Sequence, residues 1–277
     1  MSNLNIYIPA ISGERRQNAA LTVGLPRATA GQYGRLWENF FTLLGCSVVK
    51  TPATNRRILE LGDRAADGCL PVKAMLGHLL YLVGRADLIF MPHFKGGCSH
   101  MEELYTRIRE NNPRIITQDG GGDLDAMLEL VAGRLHLGGS AVRSAYLRAS
   151  ANRRAYQMEA ADTGASARAV SLLGMPYVTG DSYLNRNIVT KLRERGYESL
   201  LPPLPETPRS TGLAGNDPDD RVKGLIYLAA GCDEEKSDIS RSRQYAKIRS
   251  LPFAVLPADG EERVFDTRLQ DFLNVLR

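Results

Sequence analysis

"ADLIFMPHF", residues 86–94, runs directly into "KGGCSHMEE", residues 95–103. Leu88 to Met91 is an uninterrupted apolar run and reads as a buried strand. Gly96 and Gly97 break it, and a helix follows. On the other side stands "LPVKAMLGHLLYLVG", residues 70–84, a helix with Pro71 in its first turn, where a missing N–H costs nothing. Helix, buried strand, loop and helix in succession are the signature of an α/β protein with mainly parallel sheets.

The alternation extends outward. "LTVGLPRA" (21–28) is a strand running into a turn. "GQYGRLWENFFTLLG" (31–45) is a helix with Leu36, Trp37, Phe40, Phe41 and Leu44 on one side and Gly45 as its stop. "CSVVKTP" (46–52) is a strand and "NRRILELGD" (55–63) a short helix. "RIITQDG" (114–120) is a further strand, and "DLDAMLELVAGRLH" (123–136) a helix capped by Asp123. Residues 139–173, rich in alanine and arginine, read as helical.

Beyond them, "SLLGMPYVTGDSYLN" (171–185) is a strand and loop, "RNIVTKLRERG" (186–196) a helix, and "YESLLPP" (197–203) a strand. "RVKGLIYLAAGCDEE" (221–235) is a strand and loop, "SDISRSRQYAKI" (237–248) a helix, "LPFAVLPAD" (251–259) the last strand, and 262–277 the closing helix. Residues 202–220, rich in Pro, Gly and Asp, form a loop. The domains expected are 1–138, a helical connection 139–170, and 171–277. The halves share a style, though no strong repeat is visible in sequence.

The chain has 277 residues, of which 43% are hydrophobic and 24% charged, enough to bury a sizeable core. A net charge of +4 is mild and argues neither for nor against nucleic acid, though the expectation is no nucleic-acid partner. Residues 1–20 lack the apolar run of a secretory leader, and "AMLGHLLYLVG" is too short, and carries His78, to span a bilayer. The expectation is a cytoplasmic protein without membrane partners. Its cysteines, Cys46, Cys69, Cys98 and Cys232, are then free thiols or metal ligands rather than disulfides.

Three of these cysteines fall at comparable places. Cys69 stands at a helix start, and Cys98 and Cys232 each follow a strand and precede a helix. Loops at the carboxyl ends of strands line the ligand crevice of an open α/β sheet. The uneven spacing of the three makes no CxxC pattern, so spacing alone leaves small buried hydrophobes and ligands equally open. Cys46 opens a strand at the other end of the sheet and reads as a packing residue.

Other candidates sit on similar loops. His93 and His100 flank Cys98. Tyr177, Asp181 and Tyr183 are proton donors or polar anchors, or simply close their loop. Arg27 is placed to hold a phosphate or to make a structural ion pair. Gly120, Gly121 and Gly122 form either an anion-binding nest or a tight turn. The arginines at 143, 148, 153 and 154 read as the solvated face of a helix.

"VGLPRA" (23–28), "WENFFTLLGCSVVKT" (37–51), "DGCLPVKAMLGHLLYL" (67–82), "ADLIFMP" (86–92), "GDSYLNRNIVTKLRERGYES" (180–199) and "VKGLIYLAAGCDEE" (222–235) together resemble the domain family related to activases of 2-hydroxyacyl-CoA dehydratases. That family is similar to the cluster-carrying subunits of 2-hydroxyglutaryl-CoA dehydratase and benzoyl-CoA reductase. The most specific piece is Cys69-Leu70-Pro71-Val72-Lys73 with Gly77-His78 further along the helix.

The resemblance implies two Rossmann-like domains with parallel sheets joined by a long helical connection. A [4Fe-4S] cluster would lie in the crevice between them, held by Cys69, Cys98 and Cys232. It also implies single low-potential electrons from an ATP-dependent activase-like partner, an acyl-CoA-type substrate, and a homodimer or a paired related subunit. No GxxxxGK[ST] occurs, so ATP-driven electron injection falls to another protein.

One departure stands out. Relatives often have a proline after the second cysteine, whereas Cys98 is followed by Ser99 and His100. His100 or His93 is then an exposed or satisfied loop residue, or else it substitutes for Cys98, supplies a fourth ligand, or moves a proton. His100 and Tyr183 are the candidates for a catalytic role. A non-catalytic electron-transfer or accessory module, and a two-domain α/β binding protein with zinc or no metal, are the alternatives.

Overall fold

The computed structural model describes residues 20–27, 34–91, 98–112, 114–117, 124–161, 168–200, 220–232, 235–259 and 261–276. The chain divides into two compact units. The first comprises Met1–Gly68, Val72–Lys95 and His100–Thr163, and the second Cys69–Pro71, Gly96–Ser99 and Gly164–Arg277.

The first unit carries β1 (Thr22–Leu25), α1 (Gly34–Leu43), β2 (Ser47–Lys50), α2 (Arg56–Asp63), α3 (Leu70–Leu82), β3 (Leu88–Met91), α4 (Ser99–Asn111), β4 (Ile115–Thr117), α5 (Leu124–Leu135) and α6 (Gly139–Ala161), with the first residues of α3 and α4 grouped in the second unit. The strands form one parallel sheet in the order β2-β1-β3-β4. All four residues of β3 are buried, as its unbroken apolar run requires of a strand paired on both sides and covered on both faces. Trp37, Phe40 and Phe41 of α1 close over it. The Trp37 and Phe90 rings are 4.7 Å apart, and those of Phe41 and Phe90 5.1 Å.

Helix α6 packs into this same core. Val142, Ala145 and Ala149 are buried at helical spacing, while Arg143 and Arg148 face solvent. Cys46 packs against the core beside β2, and burial raises its thiol pKa.

Helices α2 and α3 approach through their glycines. A Cβ on Gly62 would lie 1.8 Å from the Lys73 carbonyl oxygen, and one on Gly77 would lie 1.9 Å from that of Ile58. His78 is wholly buried, its Nε2 2.8 Å from Thr54 Oγ1. The Gly77-His78 pair is therefore scaffold. It seats α3 against its neighbours, and with them the helix start that follows Cys69.

The second unit holds β5 (Ala169–Gly174), α7 (Pro176–Thr179), α8 (Ile188–Arg193), β6 (Glu198–Leu200), β7 (Val222–Ala229), α9 (Glu235–Ile248), β8 (Phe253–Pro257) and α10 (Glu262–Val275). Its sheet is also parallel, ordered β6-β5-β7-β8. The protein is thus mixed α/β with two four-stranded parallel sheets.

Two local readings change. The helical pattern read through 139–173 gives way to strand β5 from Ala169, where Val170, Leu172 and Leu173 are buried in a sheet instead of spaced on a helix face. "PYVT", read as loop, is the short helix α7, because Pro176 takes the first helical position, where its fixed φ is an asset. Asp123, Gly120–Gly122, His93 and most of 202–220 lie outside the described residues. Among the described residues no helix is long and apolar enough to cross a membrane.

Candidate metal site

In both sheets the first strand in chain order has the second strand on one side and the third on the other. The connections therefore leave in opposite directions between β1 and β3, and between β5 and β7. Loops at such a reversal splay apart beyond the carboxyl ends of the strands, which opens room for a ligand. Cys98 lies on the connection after β3, and Cys232 on the one after β7. Cys69 arrives differently, as the residue immediately before α3. Cys98 likewise immediately precedes α4. Both thiols thus meet the N–H-rich end of a 13-residue helix, where a thiolate is stabilised.

The structure brings these three cysteines together. The sulfurs of Cys69 and Cys98 are 3.7 Å apart, and Cys98 is almost wholly buried. The Cys232 thiol lies close enough to both to feel them electrostatically. Interaction with the Cys69 and Cys98 thiols, burial and the charges of the same two groups together push its pKa far above the ordinary thiol value. His100, in the first turn of α4, joins them: one ring nitrogen and the sulfurs of Cys69 and Cys98 all lie within 4.8 Å of one another. Cys69, Cys98 and His100 make a candidate Cys2His metal site, with Cys232 beside it.

The donor chemistry fits a thiophilic metal. Thiolate and imidazole together suit zinc or iron, including iron–sulfur clusters. Three thiolates crowded together repel one another, and a cation between them turns that repulsion into shared attraction. A tetrahedral ion with metal–sulfur bonds of about 2.3 Å sets neighbouring sulfurs about 3.8 Å apart. The 3.7 Å separation of Cys69 and Cys98 matches that value.

Glu235 is the residue that sequence reading missed. It is the first residue of α9 and only 2% exposed. Its carboxylate accepts hydrogen bonds from the backbone N–H of Ala230 at 2.9 and 3.1 Å and from that of Cys232 at 3.1 Å. The loop that presents Cys232 is thereby tied to the helix that follows it. Burial raises the Glu235 pKa to about 7, against the pull of the two backbone N–H groups. Gly231 within the loop has φ +79°, and a Cβ there would sit 2.1 Å from an oxygen of Asp259. Only glycine meets both conditions. The available signal was an acidic residue three positions after Cys232 at the mouth of a helix. Tyr227, on β7, is buried, and burial together with Glu235, Asp238 and Cys232 keeps its phenol protonated.

The remaining candidates have local roles or exposed positions. Asp181 accepts from the backbone N–H of Tyr183 at 2.9 Å and of Leu184 at 3.1 Å, closing the turn after α7. Tyr177 is buried, whereas the Tyr183 side chain is 43% exposed. Arg27 is exposed, and its backbone N–H donates to Thr51 Oγ1 at 2.8 Å.

The chain is similar to the periplasmic zinc-binding protein TroA of Treponema pallidum, at 9% identity over 93% of this chain and 98% of that one, with a TM-score of 0.32. It is similar to the SBP FpvC of Pseudomonas aeruginosa solved with Mn2+, at 12% identity over 94% and 98% and a TM-score of 0.31. No curated protein sequence gives a significant match. Residues 22–203, more than half the chain and spanning both sheets' first strands, match the model of one protein family, and on that match the chain belongs to the CoA enzyme activase uncharacterised domain family (DUF2229).

Proposed function

We propose that this protein is the metal-carrying redox component of a CoA enzyme activase system. It would hold a [4Fe-4S] cluster through Cys69, Cys98 and Cys232 and take single low-potential electrons from an ATP-dependent activase-like partner. Those electrons would serve the reduction or dehydration of an acyl-CoA-type substrate. The observation that carries the reading is the gathering of three cysteines from three separate connections, one between α2 and α3, one between β3 and α4 and one between β7 and α9. When bound, such a cluster supplies one-electron transfer at a potential set by its ligands and surroundings. The chain's own part is to bring the thiols together, to keep Cys98 out of water, and to lock the Cys232 loop through Glu235. Pairing with a second copy or a related subunit, a cytoplasmic location and the absence of nucleic-acid partners belong to the same reading.

A second reading rests on the 3.7 Å sulfur spacing. A cubane binds each cysteine through a different iron and so spreads the sulfurs wider than a single tetrahedral ion does. The site would then hold one zinc or iron ion, and the protein would act as an accessory module without redox chemistry of the cluster type.

One measurement separates the two. Metal and acid-labile sulfide are counted per chain after anaerobic purification, for the wild type and for Cys69→Ser, Cys98→Ser, Cys232→Ser and Cys46→Ser. About four irons and four sulfides, lost in the first three variants and kept in the fourth, support the cluster. One ion without sulfide supports the single-metal site. A folded wild type that holds neither, and takes up neither on reconstitution, sinks both readings.

A further inference from the structure

Cys69 and Cys98 are 29 positions apart in the chain, yet their sulfurs lie 3.7 Å from each other. A disulfide closes at about 2.05 Å, so the sulfurs stand about 1.7 Å short of a bond, within the sweep of a χ1 rotation. The backbone on each side is anchored. α3, which Cys69 precedes, is seated by the close approach of Gly77 to the Ile58 carbonyl. α4, which Cys98 precedes, sinks Met101, Leu104, Tyr105 and Ile108 into the core. The two thiols are therefore held as neighbours and do not have to find each other. Their access to solvent differs: Cys69 is half-buried, whereas Cys98 is 2% exposed.

We propose that Cys69 and Cys98 are a redox-modification site that closes to a reversible disulfide in the metal-free protein, with Cys69 attacking and Cys98 resolving. The oxidant is a small-molecule disulfide, RSSR, which reaches the more exposed sulfur first. Cys69 gives up its proton and attacks one sulfur of RSSR. The S–S bond breaks, one RSH leaves with that proton, and a mixed disulfide between Cys69 and RS remains. Cys98 then gives up its proton and attacks Cys69 Sγ, which expels the second RSH and makes the Cys69–Cys98 bond. The protein loses two electrons and two protons, and RSSR gains both pairs as two RSH; excess RSH runs the sequence backwards.

This goes beyond the metal reading and uses no metal. It has a consequence for the group of Cys69, Cys98 and His100, however. A disulfide offers no thiolate, so oxidation of the pair and metal binding by the same sulfurs exclude each other.

The test takes the full-length chain, reduced and treated with chelator, and exposes it to oxidised glutathione with and without urea. Circular dichroism checks the fold, remaining thiols are alkylated, and linked peptides are mapped by mass. In the folded chain the Cys69–Cys98 link is expected to exceed every other pairing by about tenfold or more, a preference that urea removes because proximity is lost. Dithiothreitol should reopen it. Cys98→Ser should stop at a glutathione adduct on Cys69, and Cys46→Ser and Cys232→Ser should keep the link.

A folded chain that stays reduced, that stops at adducts, or whose main link includes Cys46 or Cys232 overturns the proposal. So does a chelated chain that has lost its fold, since nothing then holds the two sulfurs together. Should the serine variants misfold, the wild-type peptide map decides alone. None of these outcomes bears on which metal the protein carries, which the metal and sulfide count decides separately.

Discussion

The two sheets follow one path twice. β2-β1-β3-β4 and β6-β5-β7-β8 both place the first strand inside, the second at one edge, and the third and fourth on the far side. Both deliver a cysteine just after the third strand, Cys98 in one and Cys232 in the other. The supports differ. Cys98 leads straight into α4, and three residues on stands Met101, an apolar side chain sunk in the core. Cys232 leads into a loop, and three residues on stands Glu235, whose carboxylate grips the loop's N–H groups. The cores differ too. Aromatic rings stack on the first sheet, while the second packs Leu173, Val222, Leu225, Tyr227 and Ala246. Topology recurs because strand–helix alternation and right-handed crossovers leave few alternatives. Loop chemistry does not recur, since no such rule constrains it.

The largest effect is expected where the first unit has no slack. Gly77→Ala drives a methyl into the Ile58 carbonyl, so a loss of about 3 kcal/mol or more in urea unfolding is expected. A loss under about 1 kcal/mol would mean that α2 and α3 separate easily. Trp37→Ala removes the ring that touches Phe40, Phe90 and Tyr146 and should cost about 3–5 kcal/mol by the same measurement.

The comparison of the two cysteine loops is sharpened by a pair of variants. Glu235→Ala frees the Cys232 loop and should weaken Co2+ binding about 10–100-fold in a chelator competition. Met101→Leu keeps the volume beside Cys98, so it should leave that affinity unchanged and cost less than about 1.5 kcal/mol of stability. Equal effects from the two would erase the distinction drawn between the loops. Smallest of all is Arg143→Ala. Its 2.6 Å contact with Asp125 joins two exposed side chains, and salt and entropy leave such a pair within about 0.5 kcal/mol of nothing.

The reading from sequence reached furthest where one pattern ruled a whole element. β3, with four buried residues in a row, and α1, with its aromatic face, could hardly be anything else. It also singled out the three cysteines and His100, because sulfur and imidazole at loop–helix junctions are chemically conspicuous. It fell short where the determinant is tertiary. Glu235 looks like any acid at a helix start until its burial and its two backbone partners are known. α7 was hidden by Pro176 and Gly180, which are as common in loops as at helix ends. Gly77 carried the family resemblance, yet its task, the close approach of α2 and α3, is set by a neighbour that no linear pattern records.

The all-parallel pairing also sets an order of assembly. Among the described residues neither sheet contains a hairpin, so no strand can pair with the one that follows it until an intervening crossover has been made, and such sheets form late and slowly. During synthesis, Cys69 and Cys98 emerge among the early elements β1 to α5, while Cys232 waits for β7. For that interval the nascent chain carries two of the three thiols of the proposed centre, open to oxidation or to the wrong ion. On the proposed reading, the chain would have to stay reduced until its last third is laid down.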